Sequence, residues 1–144
     1  MSESAIPNAL IFDLEAVPPT ESKPAKIIMV GALRPTTGQE LELKISKDPT
    51  AALAQLDALG QGADCVLGHN LIDHDLPLLK SQAPQLALHD LAVVDTLRLS
   101  PLAFPQNPYH RLIKDYKLIR ESLNSPLGDC RSTLTLFQDQ QAAF

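Results

Sequence analysis

The stretch Asn8-Ala-Leu-Ile-Phe-Asp-Leu-Glu15 constrains this chain more than any other. Residues 9 to 12 are all apolar, the pattern of a strand buried on both faces. Two carboxylates follow at i and i+2, Asp13 and Glu15. Side chains alternate along a strand, so both point to one face. Like charges there repel and resist desolvation. A cation between them removes that penalty, and oxygen ligands on a rigid strand suit Mg²⁺ or Mn²⁺. A strand that ends in a solvated acidic turn would carry the same D-x-E, so the rest of the chain has to decide.

At 144 residues the chain is long enough for one domain with a proper core, spanning 1–144. Its 44% hydrophobic and 20% charged residues match a soluble globular protein and exclude a disordered one. No apolar run reaches the roughly 18 residues of a membrane helix. The N-terminus lacks the pattern of a signal peptide. Cys65 and Cys130 form neither a CxxC nor a zinc pattern, which reads as buried thiols in a reducing compartment, the cytoplasm. The net charge of −5 argues against a non-specific nucleic-acid binder. Its distribution is uneven. From Arg98 to Arg120 five basic residues stand against Asp115 alone.

In chain order, a Pro-rich loop over 16–25 leads to a second strand over 26–33. A turn at 34–38 precedes the alternating segment 40–46, a half-exposed edge strand. These three strands form a meander. Asp48 or Thr50 caps a helix whose stripe is Leu53, Leu56 and Leu59, stopped by Gly60 and Gly62. A short buried strand at 64–68 runs into His69-Asn70-Leu-Ile-Asp73-His74-Asp75-Leu-Pro-Leu-Leu, helical in its second half. A further strand is expected at 89–94, a loop at 101–108 and at 124–128, and a last helix opened by Asp129. Tyr109, Leu112, Ile113, Tyr116 and Ile119 recur at helical spacing between them. A meander followed by alternating helix and strand predicts an α/β fold with a mixed five-stranded sheet flanked by helices.

Asp13, Glu15, Asp75 and Asp129 each fall at a strand end or helix start, where sites form. A two-metal phosphoryl-transfer site needs several such carboxylates around ions about 3.5–4 Å apart. The order Asp13-Leu-Glu15, then Gly68-His69-Asn70 with Asp75 five residues after the Asn, then a late Asp129 opening a helix, resembles the DEDD superfamily of 3′–5′ exonucleases. The resemblance spans residues 8 to about 137. It implies a ribonuclease H-like fold and two divalent ions, Mg²⁺ or Mn²⁺, held by Asp13, Glu15, Asp75 and Asp129. It also implies that Asn70 meets the terminal nucleotide or braces the site. Asp73 is expected to face solvent or cap the helix. His74 stands where such enzymes often carry Phe.

The third motif departs from that pattern. The family places a His five residues, or a Tyr four residues, before its last Asp; here those positions are Asn124 and Ser125. Asn124 can orient water through hydrogen bonds but is no base near neutral pH. Activity then persists because the ions themselves acidify water, or Tyr109, His110, Tyr116 or Lys117 stands in, or the protein binds without cutting. The basic segment Tyr109, His110, Arg111, Lys114 and Lys117 suits a single strand, with cations on phosphates and tyrosine on a base. An amphipathic helix with its tyrosines in the core and a solvated basic face fits the same spacing. The run from Asp95 to Leu118 is also similar to exonuclease-like regions attached to bacterial RecQ-type helicases, which implies an N-terminal part of a larger protein. The expected activity is metal-dependent 3′–5′ digestion of single-stranded DNA, with RNA as a second substrate. The alternative is a weak or inactive ribonuclease H-like module that binds nucleic acid or a partner within a helicase or repair protein. His69 reads as a core hydrogen-bonding residue, Asp95 as a helix cap and Cys130 as packing.

Overall fold

The computed structural model describes residues 6–103 and 125–143. Strand β1 (Ala9–Val17) is the centre of a five-stranded sheet in the order β3-β2-β1-β4-β5. Strands β2 (Lys26–Arg34) and β3 (Gln39–Lys44) build the meander, each antiparallel to its predecessor. After helix α1 (Thr50–Leu59), the short β4 (Cys65–Gly68) pairs parallel with β1. A π-helical turn (Leu71–Asp75) runs into α2 (Leu76–Gln82). A 3₁₀ turn (Ala87–Asp90) then leads to β5 (Ala92–Asp95), parallel to β4. Helices α3 (Thr96–Ala103) and α4 (Pro126–Ala143) follow. Only β2 runs against the others, so the fold is a ribonuclease H-like α/β sheet flanked by helices.

The alternation along β1 sorts the molecule into layers. Leu10, Phe12 and Leu14 enter the larger core with Leu53 and Leu56 of α1 and Leu79 of α2. Ala9 and Ile11 face the other way, onto Leu33, Leu67 and Cys130 of α4. Asp13 and Glu15 continue this second row. Arg34 is almost fully buried, and both terminal nitrogens of its guanidinium are bonded, while its Nε has no partner among the described residues. Its guanidinium donates to the carbonyls of Leu59 and Gln61 at 2.8 and 3.0 Å and to Asn8 Oδ1 at 2.7 Å. A cation at the C-terminus of α1 also opposes the helix dipole favourably.

Several boundaries differ from the sequence reading, each for a local reason. The apolar strand runs on through both carboxylates to Val17, because β2 keeps pairing there, with an irregularity between Glu15 and Ala16. The edge strand stops at Lys44, not 46. His89 and Asp90 belong to a 3₁₀ turn, because Asp57 accepts from the backbone N–H groups of Ala87 and Leu88 and bends the chain. The strand therefore starts at Ala92. Residues 101–103, expected as loop, complete α3. Residues 126–128, also expected as loop, are the first turn of α4. Ser125 Oγ accepts from Gly128 N at 3.1 Å and Pro126 takes the first helical position, where no N–H is needed. Asp129 thus sits inside the first turn. Among the described residues, no helix is long and apolar enough to cross a membrane.

Candidate functional site

The end of β1 brings the site together. Asp13 pairs with Gly31 across the antiparallel ladder. A Cβ on Gly31 would overlap the backbone of Pro126 and Leu127, so glycine there lets the first turn of α4 lie directly on β2. Glu42 of β3 fixes that turn from the side: its Oε2 accepts from Ser125 Oγ at 2.7 Å and from Leu127 N at 3.2 Å. Arg131, one turn on, pairs with Glu40 at 2.7 Å. The result is Asp129 buried against the sheet at 5% exposure.

Asp75 arrives from the opposite layer. It ends the π-helical turn and is 2% exposed. Its Oδ2 accepts from the backbone N–H of Leu14 at 3.0 Å, between the two carboxylates of β1. Its Oδ1 lies 2.7 Å from Nδ1 of His74, whose ring remains half exposed. Burial raises the Asp75 carboxyl above its usual range, with Asp95 pushing the same way, while His74 and the Leu14 N–H oppose the shift. The bond to Asp75 holds the His74 imidazole above its ordinary value, with burial opposing.

Cys130 ties the start of α4 to the two strands beneath it. Its sulfur is fully buried, 3.4 Å from the Gly31 carbonyl and 3.6 Å from that of Ile11. Burial, then the charges of Asp13, Asp129, Asp75 and Glu42, push its thiol well up. Asp13 stands opposite Gly31, whose carbonyl this sulfur bonds, and Asp129 precedes Cys130 in α4. Glu15 lies one step farther along β1, half-buried on the same face as Asp13.

A second acid, Asp95, organises the turn that carries Asp75. Its Oδ1 accepts from Asn70 N at 2.7 Å and Leu97 N at 3.0 Å, and its Oδ2 from Ile72 N at 3.0 Å. It caps α3, as expected, and also holds Asn70 in the left-handed conformation (φ 70°) that starts the π-helical turn. His69 Nδ1 lies 2.7 Å from Thr96 Oγ1, the internal role read for it. Asp73 faces solvent and pairs with Arg98 at 3.0 Å. Asn124 and the basic set Tyr109, His110, Arg111, Lys114 and Lys117 lie outside the described residues. The sequence reading missed the His74–Asp75 pair and the part played by Glu42. An i,i+1 His-Asp pair gave a weak signal for the first, and nothing in the sequence pattern gave one for the second.

The donor chemistry fits a hard divalent ion, because Asp13, Glu15, Asp75 and Asp129 offer only oxygen. The present spacing is a weaker fit. Among the described residues, no three acidic, histidine or cysteine side chains form a group that could hold a metal ion. Both oxygens of Asp75 are also engaged within the protein. An ion at Asp75 would share these oxygens, each of which keeps a second lone pair, with the Leu14 N–H and His74.

No protein-family model and no curated protein sequence matches the chain. Among solved structures, it is similar to the family B DNA polymerase of the hyperthermophilic archaeon Pyrobaculum calidifontis. The TM-score is 0.55 at 17% identity, over 92% of this chain and 24% of the polymerase chain. At that identity the likeness shows the fold alone, and this chain spans about a quarter of the polymerase.

Proposed function

We propose that this chain is a DEDD-type exonuclease domain that removes nucleotides from the 3′ end of single-stranded DNA. The observation that carries this reading is the hydrogen bond from Leu14 N–H to Asp75 Oδ2, which sets Asp75 beside the strand residues Asp13 and Glu15, while Cys130, next to Asp129, bonds the carbonyl of Gly31, the cross-strand partner of Asp13. Buried carboxylates of one sign are expensive to keep together unless a cation joins them. The resemblance to DEDD exonucleases supplies the reaction class, and a fold shared with a DNA polymerase is consistent with work on nucleic acid. Two divalent ions, Mg²⁺ or Mn²⁺, would be held by Asp13, Glu15, Asp75 and Asp129. When bound, they would supply acidified water and stabilise charge on the leaving oxygen.

The chain's own residues supply position. Leu14 N–H holds Asp75 against β1, and Glu42 and Gly31 seat Asp129. Water adds to the terminal phosphorus, the bond to the penultimate 3′-oxygen breaks, and that oxygen takes up a proton. A nucleoside 5′-monophosphate leaves. Asn124 stands where the family carries its base, and its part is to orient the water by hydrogen bonding.

One observation favours a second reading, a module that binds nucleic acid without cutting it. Asp75 already has two partners, and His74 is one of them. Digestion of a 5′-labelled single-stranded oligonucleotide with Mn²⁺, beside an Asp13→Ala control, separates the two. A ladder that shortens from the 3′ end and vanishes in the control supports the nuclease. An intact oligonucleotide that still binds supports the module.

A further inference from the structure

On the α2 side of the sheet, at the same end as the carboxylates, lies a groove of about 540 Å³. Its rim carries Lys23, Lys26 and Lys47, and Ile27, Pro49 and Leu78 are among the apolar residues of its lining. These are three of the seven lysines of an acidic chain, so the local charge opposes the net charge. The groove is stitched together. Gln82 Nε2 donates to the Ala25 carbonyl at 2.9 Å, tying α2 to the loop before β2. Lys26 Nζ donates to the Ser46 carbonyl at 3.2 Å, tying the start of β2 to the segment before α1. Asp48, beside Lys47, is exposed and engaged locally: its Oδ1 accepts from Thr50 N at 3.0 Å and from Thr50 Oγ1 at 2.6 Å. Neither bond involves Lys47.

Lys26 is paired with Val17, beyond Glu15 on β1. Asp13 and Glu15 point to the α4 side of the sheet and the groove opens on the α2 side, so the two share an end of the sheet and not a face. We infer that this groove carries the body of a single-stranded polynucleotide, with lysines on its phosphates and bases against Pro49 and Leu78. Alternating anionic and flat apolar groups are the chemistry that a lysine rim over Pro49 and Leu78 complements. The inference rests on the nucleic-acid part of the proposed function and not on cleavage.

The test is fluorescence anisotropy with labelled oligo(dT) of about 20 nucleotides, several times the smallest site size of such grooves, in EDTA so that nothing is cut. Lys23 and Lys47 are exposed, so Lys23→Glu/Lys47→Glu should melt like wild type. We expect it to bind at least tenfold more weakly. Its slope of log K against log salt should fall by about 1.4, the loss of two phosphate contacts on a single strand. Lys44→Glu/Lys80→Glu changes the net charge equally on exposed lysines outside the lining and should bind within about twofold of wild type. Unchanged affinity in the groove variant, equal losses in both variants, or no binding by wild type would each overturn the inference. Digestion is scored separately. Groove-dependent binding without digestion sinks the nuclease and keeps the groove, and digestion with groove-independent binding does the reverse.

Discussion

His74 Nδ1 lies 2.7 Å from Asp75 Oδ1, so the buried acid beside β1 is already held by its chain neighbour. The other oxygen of Asp75 is held by Leu14 N–H. The backbone bond locates Asp75 without competing for both oxygens. The histidine bond engages the other oxygen, Oδ1. The bond favours the protonated form of His74 beside a buried acid, and a divalent ion at Asp75 would compete with it.

This competition predicts the behaviour of His74→Phe. Removing the ring frees Asp75 Oδ1 and keeps an apolar plane at the mouth of the site. Charge-assisted bonds contribute about 1.5–3 kcal/mol, less when one partner is half in water. Mn²⁺ should therefore bind roughly three- to tenfold more tightly, read by calorimetry or by the rise of Tm with Mn²⁺. The apo variant should melt lower than wild type in EDTA, since its buried carboxylate has lost a partner. Equal Mn²⁺ affinity in the two proteins would show that Asp75 Oδ1 is not a ligand.

The same pair sets a pH dependence with a defined sign. The bond to Asp75 raises His74 in the folded state above about 6.5. Its stabilisation is complete below that value and is lost as pH rises through the folded value. Asp75 is also raised, by burial first, so the fold favours its proton and loses stability as pH rises above about 4. Both shifts act in one direction. In EDTA, wild type should lose more stability from pH 6 to pH 8 than Asp75→Asn, which removes the acid and leaves His74 without its ion pair. Parallel Tm profiles for the two proteins would refute the assignment.

Gly31 predicts an effect that works through packing and not through charge. A methyl group there meets the backbone of Pro126 and Leu127, not a flexible side chain, so α4 has to move. Overpacking of this kind costs about 1–3 kcal/mol. For Gly31→Ala, Tm should fall by on the order of 5 °C. Any nuclease activity should fall further than stability alone explains, because α4 carries Asp129. A Gly31→Ala protein with wild-type Tm would mean that α4 does not rest on β2 as described.

The sheet was readable because its signals are local. The apolar run before Asp13, the alternation of residues 40–46 and the leucine stripe of α1 each declare one element. Asp13 and Glu15 could be read from the same pattern. The start of α4 was misread because Asn124 to Gly128 looks like a loop. What makes it helical is Ser125 as a cap and Glu42 from another strand, 85 positions from Leu127 along the chain. The His74–Asp75 bond was not legible either, since adjacent helical residues ordinarily diverge by about 100° and only the π-helical turn brings them together.

That turn depends on Asp95, and its replacement is the most revealing test of the scaffold. One carboxylate accepts three backbone N–H groups, from Asn70, Ile72 and Leu97. Asp95 is itself nearly inaccessible, so no water can replace those bonds without a rearrangement. Asp95→Ala leaves the donors unmet, each costing about 1–3 kcal/mol if it stays buried. The turn should open before it bears the whole cost, and a loss of about 3 kcal/mol is expected by urea denaturation. Asp95→Asn keeps one acceptor oxygen and should lose about half as much. Hydrogen exchange locates the damage: the amides of Asn70, Ile72 and Leu97 should exchange faster in both variants, while those of β1–β3 stay protected. Uniform acceleration across the sheet would instead make Asp95 a general core residue with no special hold on the turn that positions Asp75.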